Sequence, residues 1–556
     1  MVSLPLVVTG GLQLRQLLPE AEWIGIQDLL VHRCVRDPRQ VRPGDVWVAV
    51  PGRKKTLRMP PRSNPKEIQT GGEISSERRG ILPEEIALAI ARGATAVVAE
   101  HPLPGLPIPQ VLTPDVREAW GRICQALAGH PSKRLKVIAV MGHLGVTPTC
   151  WLLRRILAEA GYRPGLLSRL GSFDGKHWLS AGENISGPEM LASQLVRMLS
   201  HQCTHAVVEV SSGALAEKYL AGMDLDGVCL TPFGRKPKTS PPLKNSPFAR
   251  FSAPSAESGR PTASESEAAA CYDPLVAALR DRLFRYLTAE GLTVLSADDP
   301  ISVECLRFLE GPVLTVGIRQ MAEITAHLVE QQLAEQTFLL QAGADVTPVR
   351  TRRIGQEHRV DCLLAAAVGL AYGMDLTDVI RGLESVESVP GHLERIEQGQ
   401  PFGVFLDAPR SGLWLRQNLR TLKGLCRGRL WCVAGLGPGQ RKKTALFAQL
   451  LPQYVDRLLL TPEEPTQGTS PKKPPNGVQK ILDRFPAGQQ ALWTPDRGEA
   501  IWTALQQAEA GDCVLILSRL RTYSPVPGRK SSDGDDRRVV QFCLESLYPE
   551  ELPLGG

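Results

Sequence analysis

The stretch VIAVMGHLGVTPTCWLLRRILAEAGYRPG, Val137–Gly165, decides the reading of this chain. An apolar run ends at a glycine, a short loop follows, and apolar residues then recur at helical spacing, so the stretch predicts a buried strand, a tight loop and an amphipathic helix. That layout cradles nucleotide phosphates. Glycines let backbone N–H groups converge on the phosphates and the helix N-terminus adds a positive dipole. A lysine reaches the terminal phosphates and a hydroxyl holds Mg2+. Gly142, Gly145 and Thr147 keep the turn and the hydroxyl, but Val146 stands where the lysine is needed. Pro148 falls in the first helical turn, where its missing N–H is tolerated. By spacing alone the string equally fits a strand–helix turn with no ligand.

Working outward, short apolar runs alternate with helical patterns. Val46–Val50, Thr95–Glu100, Lys136–Gly142, His205–Ser212, Gly227–Phe233, Leu292–Asp299, Pro312–Ile318, Leu430–Gly437, Arg457–Glu463 and Cys513–Arg519 predict buried strands. Trp151–Ala160, Ala365–Tyr372 and Arg497–Ala510 predict helices between them. This rhythm implies parallel α/β sheets with ligands at the carboxyl ends of the strands. Three polar stretches, Arg53–Gly80, Gly234–Ala270 and Thr466–Lys480, lack the apolar area to offset ordering and read as solvated, mobile insertions. No repeat of solenoid period is present.

With 556 residues the chain is too long for one core, and about two to four domains are expected. The net charge of +6 is small for this length and points to neither nucleic acid nor a membrane surface as partner. Its 12 cysteines include no C-x-x-C pair, which fits reduced thiols rather than a zinc ribbon or a disulfide framework. The first residues have no basic n-region and long apolar core, so no signal peptide is read. No segment approaches the ~20 apolar residues of a membrane span. A cytoplasmic protein is expected. HQCTH (His201–His205) crowds three metal-capable side chains, yet His205 also fits an ordinary position before a strand.

A second element sharpens the first. HAVVEVSSGAL (His205–Leu215) reads as a strand ending in Glu209, Ser211 and Ser212, and a carboxylate there, beside a phosphate loop, is a usual Mg2+ ligand. Together with RDPRQVRPGDVWVAVPG (Arg36–Gly52), AIARGATAVVAE (Ala89–Glu100), SADDP (Ser296–Pro300) and TPDRGEAIWTALQQAEAGDCVLIL (Thr494–Leu517), these segments resemble the Mur ligase family in order and wording. The subtype they resemble is the MurE-type ligase, which uses ATP to add an amino acid to UDP-N-acetylmuramoyl-dipeptide in peptidoglycan synthesis, and so serves cell-wall biogenesis, cell shape and division.

The resemblance implies an α/β fold in three domains. These are an N-terminal UDP-sugar-binding type (1–133), a central P-loop-like ATPase type (134–388) and a C-terminal Rossmann-like type (389–556). It implies ATP and Mg2+ as cofactors, a UDP-N-acetylmuramoyl peptide as small-molecule partner, and cell-wall synthesis proteins as partners. Carried over by position, Gly142, Gly145, Thr147 and Thr149 would bind nucleotide, and Thr147 and Glu209 would hold Mg2+. Ser186, Ser211 and Ser212 would meet the substrate. Glu209 and Asp407, the latter an adenosine-side group, would serve catalysis.

The departures matter as much. Val146 replaces the phosphate lysine, and His143 and Leu144 replace the residues before the second glycine. Arg280 stands for the lysine that is carbamylated to bridge Mg2+, and a guanidinium stays protonated and forms no carbamate. Glu217 and Tyr219 stand for substrate-holding glutamine and arginine, Gly213 for a histidine, and Pro38 for a serine. In the third domain Asp407–Gly412, His392, Glu463–Thr466 and Ser518–Thr522 replace substrate motifs. The expectation is a MurE-like pseudoenzyme with a binding or scaffold role. One rival is an active ATP-dependent amide ligase that recruits Lys442 or Lys443 from the turn Ala434–Thr444. The other is a structural assembly partner without ligand.

Overall fold

In a computed structural model of the chain, the described residues are 11–51, 81–180, 186–234, 273–409, 411–437, 440–463, 474–518 and 535–549. They form two compact units. One comprises Met1–Arg134, Ile185–Val196 and Gly213–Met223, and the other Leu135–Asn184, Arg197–Ser212 and Asp224–Gly556.

The first unit is built on a five-stranded sheet in the order Glu22–Ile24, Gln110–Leu112, Ala96–Ala99, Val46–Val48, Cys34–Val35. The outermost pair at the Glu22–Ile24 edge is antiparallel and the rest are parallel. The helix Val116–Leu127 starts where the Asp115 side chain accepts from the Arg117 and Glu118 N–H groups. It buries Val116, Ala119, Trp120, Ile123, Cys124 and Leu127, an i, i+3, i+4 stripe, against the valines of the sheet.

The second unit carries an eleven-stranded sheet. Its parallel centre runs Pro164–Ser168, His205–Val210, Lys136–Met141, Leu225–Leu230, Leu287–Ser296, Val313–Gly317. Buried on both faces, these strands read as continuous apolar runs. Antiparallel strands extend both edges: Gly171–Phe173 and Trp178–Ser180 on one, and the hairpins of Ile324–Gln331, Gln336–Ala342 and Asp345–Thr351 on the other. Sequence periodicity missed these because the edge strands are half exposed and short of apolar runs. The helices Val146–Glu159, Gln356–Ala371 and Leu376–Glu384 share one core with the sheet.

A six-stranded sheet of the same unit runs Glu394–Ile396, Gly403–Asp407, Cys513–Leu517, Leu430–Leu436, Arg457–Pro462, Gln490–Trp493, parallel except for the first pair. All ten predicted strands are present. The first two polar insertions lie outside the described residues, apart from Gly234, which is coil. The third is corrected in part: its end enters the helix Asn476–Leu482, which buries Val478 and Ile481. No described helix is long and apolar enough to cross a membrane.

Candidate functional site

The loop Gly142–Gly145 leaves the carboxyl end of the strand Lys136–Met141, between His205–Val210 and Leu225–Leu230. Parallel register pairs Glu209 with Val140 and Val210 with Met141, so the sheet itself carries Glu209 to the loop. Gly145 caps the helix Val146–Glu159 with φ +73°, a left-handed conformation that favours glycine.

The loop's polar groups are engaged within the chain. The N–H groups of His143 and Leu144 both donate to the Pro232 carbonyl, at 3.2 and 3.0 Å. A Cβ on Gly142 would lie 2.3 Å from the Thr231 carbonyl oxygen, and one on Gly145 would lie 1.8 Å from Asp361 Oδ1. Both glycines are thus required by close packing, whatever binds. Val146 is buried in the apolar core shared with Cys150, Leu153 and Val360. Thr147 Oγ1 donates to Glu209 Oε2 at 2.9 Å. Arg169 donates to the same carboxylate twice, through Nε to Oε1 at 2.7 Å and through its backbone N–H to Oε2 at 3.1 Å. Thr149 is fully buried and its hydroxyl lies 3.4 Å from Asp361 Oδ1.

Beside the loop lies a cavity of about 330 Å3 lined by Leu144, Asp298, Asp299, Arg319, Gln356, Glu357, Asp361 and Gln417, among others. Of its charged lining, four side chains are carboxyls and one is a guanidinium. Asp299 accepts from the Phe233, Gly234 and Ser302 N–H groups, and Asp298 from those of Ile318, Arg319 and Gln320. These two shape turns. Burial raises the pKa of Glu357 and, strongly, that of Asp361. Asp361 Oδ2 has no hydrogen-bond partner.

This donor set fits magnesium triphosphate poorly. The His143 and Leu144 N–H groups serve a carbonyl, the Thr147 hydroxyl serves Glu209, and the positive charge beside Glu209 comes from Arg169. Arg169 and Asp361 were missed by sequence reading. Their signals were a charge at a strand's carboxyl end in LLSRLG and a lone acid inside the apolar helix DCLLAAAV.

The structure therefore brings together Gly142, Gly145, Thr147, Thr149 and Glu209, but Thr149 faces the core rather than a ligand. Asp407 is fully buried and accepts from Leu393 N–H, Asn418 Nδ2 and Trp414 Nε1, so it knits the third sheet to its helices. Burial raises its pKa to about 6. Ser211 and Ser212 are exposed at the start of the short helix Ser212–Ala216. In the other unit Ser186 is exposed, with its carbonyl accepting from Tyr219 Oη at 3.0 Å, and Glu217 pairs with Arg117 at 2.9 Å.

Arg280 is exposed and pairs with Asp281. Lys443 is held by Glu463 at 2.9 Å, while Arg441 and Lys442 are exposed. The HQCTH residues diverge. His201 faces Asp174, Cys203 Sγ donates to the Asp174 carbonyl, and His205, its pKa lowered to about 4 by burial, packs against Tyr162.

Residues 393–520 match the model of the Mur ligase glutamate ligase domain. A UDP-N-acetylmuramoyl-L-alanyl-D-glutamate–2,6-diaminopimelate ligase of Geobacillus thermodenitrificans is 28% identical over 467 residues, 82% of this chain and 88% of the relative. A UDP-N-acetylmuramyl-tripeptide synthetase of Roseiflexus is 27% identical over 528 residues, 92% and 94% of the two chains. Among solved structures, a UDP-N-acetylmuramoyl-L-alanyl-D-glutamate–2,6-diaminopimelate ligase superposes with a TM-score of 0.61 at 20% identity, covering 97% of this chain and 99% of the other. The MurF ligase of Thermotoga maritima in complex with ADP gives 0.52 at 15% identity, covering 94% and 99%. The shared fold is the α/β architecture of the three-domain Mur ligases. Residues 393–520 thus carry a Mur ligase domain match, and along most of its length the chain is similar in sequence to MurE-type ligases.

Proposed function

We propose that this chain is a MurE-like protein of peptidoglycan-precursor chemistry that acts as a binding or scaffold partner rather than as an ATP-driven ligase. The observation that carries this reading is the closed set Thr147–Glu209–Arg169. The carboxylate suited to Mg2+ accepts from a guanidinium and from the Thr147 hydroxyl, and the residue in the lysine's place is a core valine. A phosphoryl-transfer site works almost wholly by placing cations and N–H donors around phosphate oxygens. Here those donors are spent inside the protein and the adjoining cavity is mainly acidic. Ser211 and Ser212 in one unit, and separately Ser186 in the other, are exposed polar groups suited to contact a muramoyl peptide. The three sheets support domains at 1–133, 134–388 and 389–556, and the abundance of reduced thiols supports a cytoplasmic setting.

An active amide ligase remains the second reading, favoured by the exposed cations Arg441 and Lys442 at the start of the helix Arg441–Tyr454. Calorimetric titration with ATP and Mg2+, then with a UDP-muramoyl dipeptide, separates the two. The proposal expects no micromolar ATP binding. Micromolar binding, with phosphate released when dipeptide and amino acid are added, overturns it. If neither ligand binds, a purely structural partner is favoured.

A further inference from the structure

The first unit contains a buried cluster that the reading above does not use. Cys34 ends the sheet, Cys124 lies on the helix Val116–Leu127, and Glu189 lies at the start of the helix Pro188–Ser200. The two sulfurs are 3.7 Å apart, and one ligand atom from each of the three residues lies within 4.8 Å of the others. Both thiols belong to the apolar core formed with Val31, Val46 and Ala192.

We propose that Cys34, Cys124 and Glu189 form a zinc site, with water in the fourth position. A tetrahedral zinc with bonds of about 2.3 Å to sulfur sets two thiolates about 3.8 Å apart, against about 2.05 Å in a disulfide. The observed separation needs no rearrangement to admit the ion. A bare contact between two core thiols would give a similar distance, and Glu189 is what separates the alternatives. This carboxyl is half-buried, and among the described residues Trp120 Nε1 donates to it at 3.4 Å. A dication among the three groups would take the two thiolates and one carboxylate oxygen as ligands. Binding releases the two thiol protons.

The test uses the full chain, stripped of metal by chelator and titrated with Co2+ and then Zn2+. The expected result is one equivalent of Co2+ with a thiolate-to-metal absorption band, displaced by Zn2+. Cys34→Ser and Cys124→Ser should abolish the band. Glu189→Gln should keep the band and weaken Zn2+ binding on the order of tenfold to 100-fold, the range attached to loss of a supporting partner. Should the serine variants fail to fold, alkylation of Cys34 and Cys124 in the wild type, mapped by mass spectrometry, still decides: Zn2+ should slow both. A wild-type spectrum without a thiolate band, metal uptake unchanged in the cysteine variants, equal alkylation with and without Zn2+, or a Cys34–Cys124 disulfide in the freshly isolated chain would each overturn the site.

Discussion

The Arg169 side chain donates to Glu209 at 2.7 Å, and Glu209 is nearly inaccessible, with a side-chain exposure of 4% against 31% for its partner. An arginine fixed by the chain thus holds the carboxylate that, beside a phosphate loop, is suited to a divalent ion. Removing its side chain leaves a buried carboxylate with only the Thr147 hydroxyl and the backbone N–H of residue 169, and no positive charge beside it. Breaking one side of a buried pair is costly. Since Arg169 is partly solvated, Arg169→Ala is expected to destabilise by ~2–4 kcal/mol. Thermal melts with and without Mn2+ check the assignment. Added Mn2+ should recover part of the lost Tm in the variant and leave the wild type unmoved. An equal response in both would show that Glu209 already accepts a metal.

Gly145 has φ +73° and faces Asp361 Oδ1. Gly145→Ala places a methyl where there is no room and forces a side-chain-bearing residue into the left-handed region. A loss of ~2–4 kcal/mol is expected, of which ~1–2 is backbone strain. In Gly145→Ala/Asp361→Ala the collision is gone, so the double variant should be less destabilised than the sum of the singles by ~1–3 kcal/mol. Urea unfolding of the four proteins measures this coupling. Strict additivity would place Asp361 away from the loop.

Asp407 gives a pH dependence. Its pKa is raised by burial from 3.8 to about 6, which its hydrogen bonds from Asn418, Leu393 and Trp414 only partly oppose. A group whose folded pKa lies above the unfolded one stabilises fully below the unfolded value and loses that contribution as pH rises through the folded value. The Asp407 contribution should therefore fall by about 3 kcal/mol between pH about 4 and about 6 and stay flat above. Denaturant unfolding across that window should show a shallower fall in Asp407→Asn. The comparison is of slopes, because the amide also faces the Asn418 donor and lowers stability at every pH. Parallel profiles in the two proteins would mean that Asp407 does not titrate there.

The buried strands were legible because a strand covered on both faces needs an apolar run, and runs such as KVIAVM and HAVVEV carry that signal locally. The loop after Met141 was legible for the same reason, through glycines placed between a strand and an amphipathic helix. The edge hairpins of Ile324–Thr351 were not, since half-exposed strands alternate weakly. Asp407 was named from the resemblance alone, and its hydrogen-bond partners were not legible in the sequence. Only the packing of Trp414 and Asn418 around it shows a structural carboxyl.

What the sequence by itself determined is the order of strands and helices, the place of the phosphate-loop-like turn, and the absence of its lysine, all of which depend on neighbours within a few residues. Only the tertiary structure decided what that turn faces. Parallel register brings Glu209 beside it, and chain folding adds Arg169, Asp361 and the Pro232 carbonyl. The same holds for Cys34, Cys124 and Glu189, which meet from three distant segments. Charge compensation inside a protein is set by distances of a few ångströms between such segments. Local patterning cannot encode that, because a carboxylate that will meet a guanidinium reads the same as one that will meet a metal.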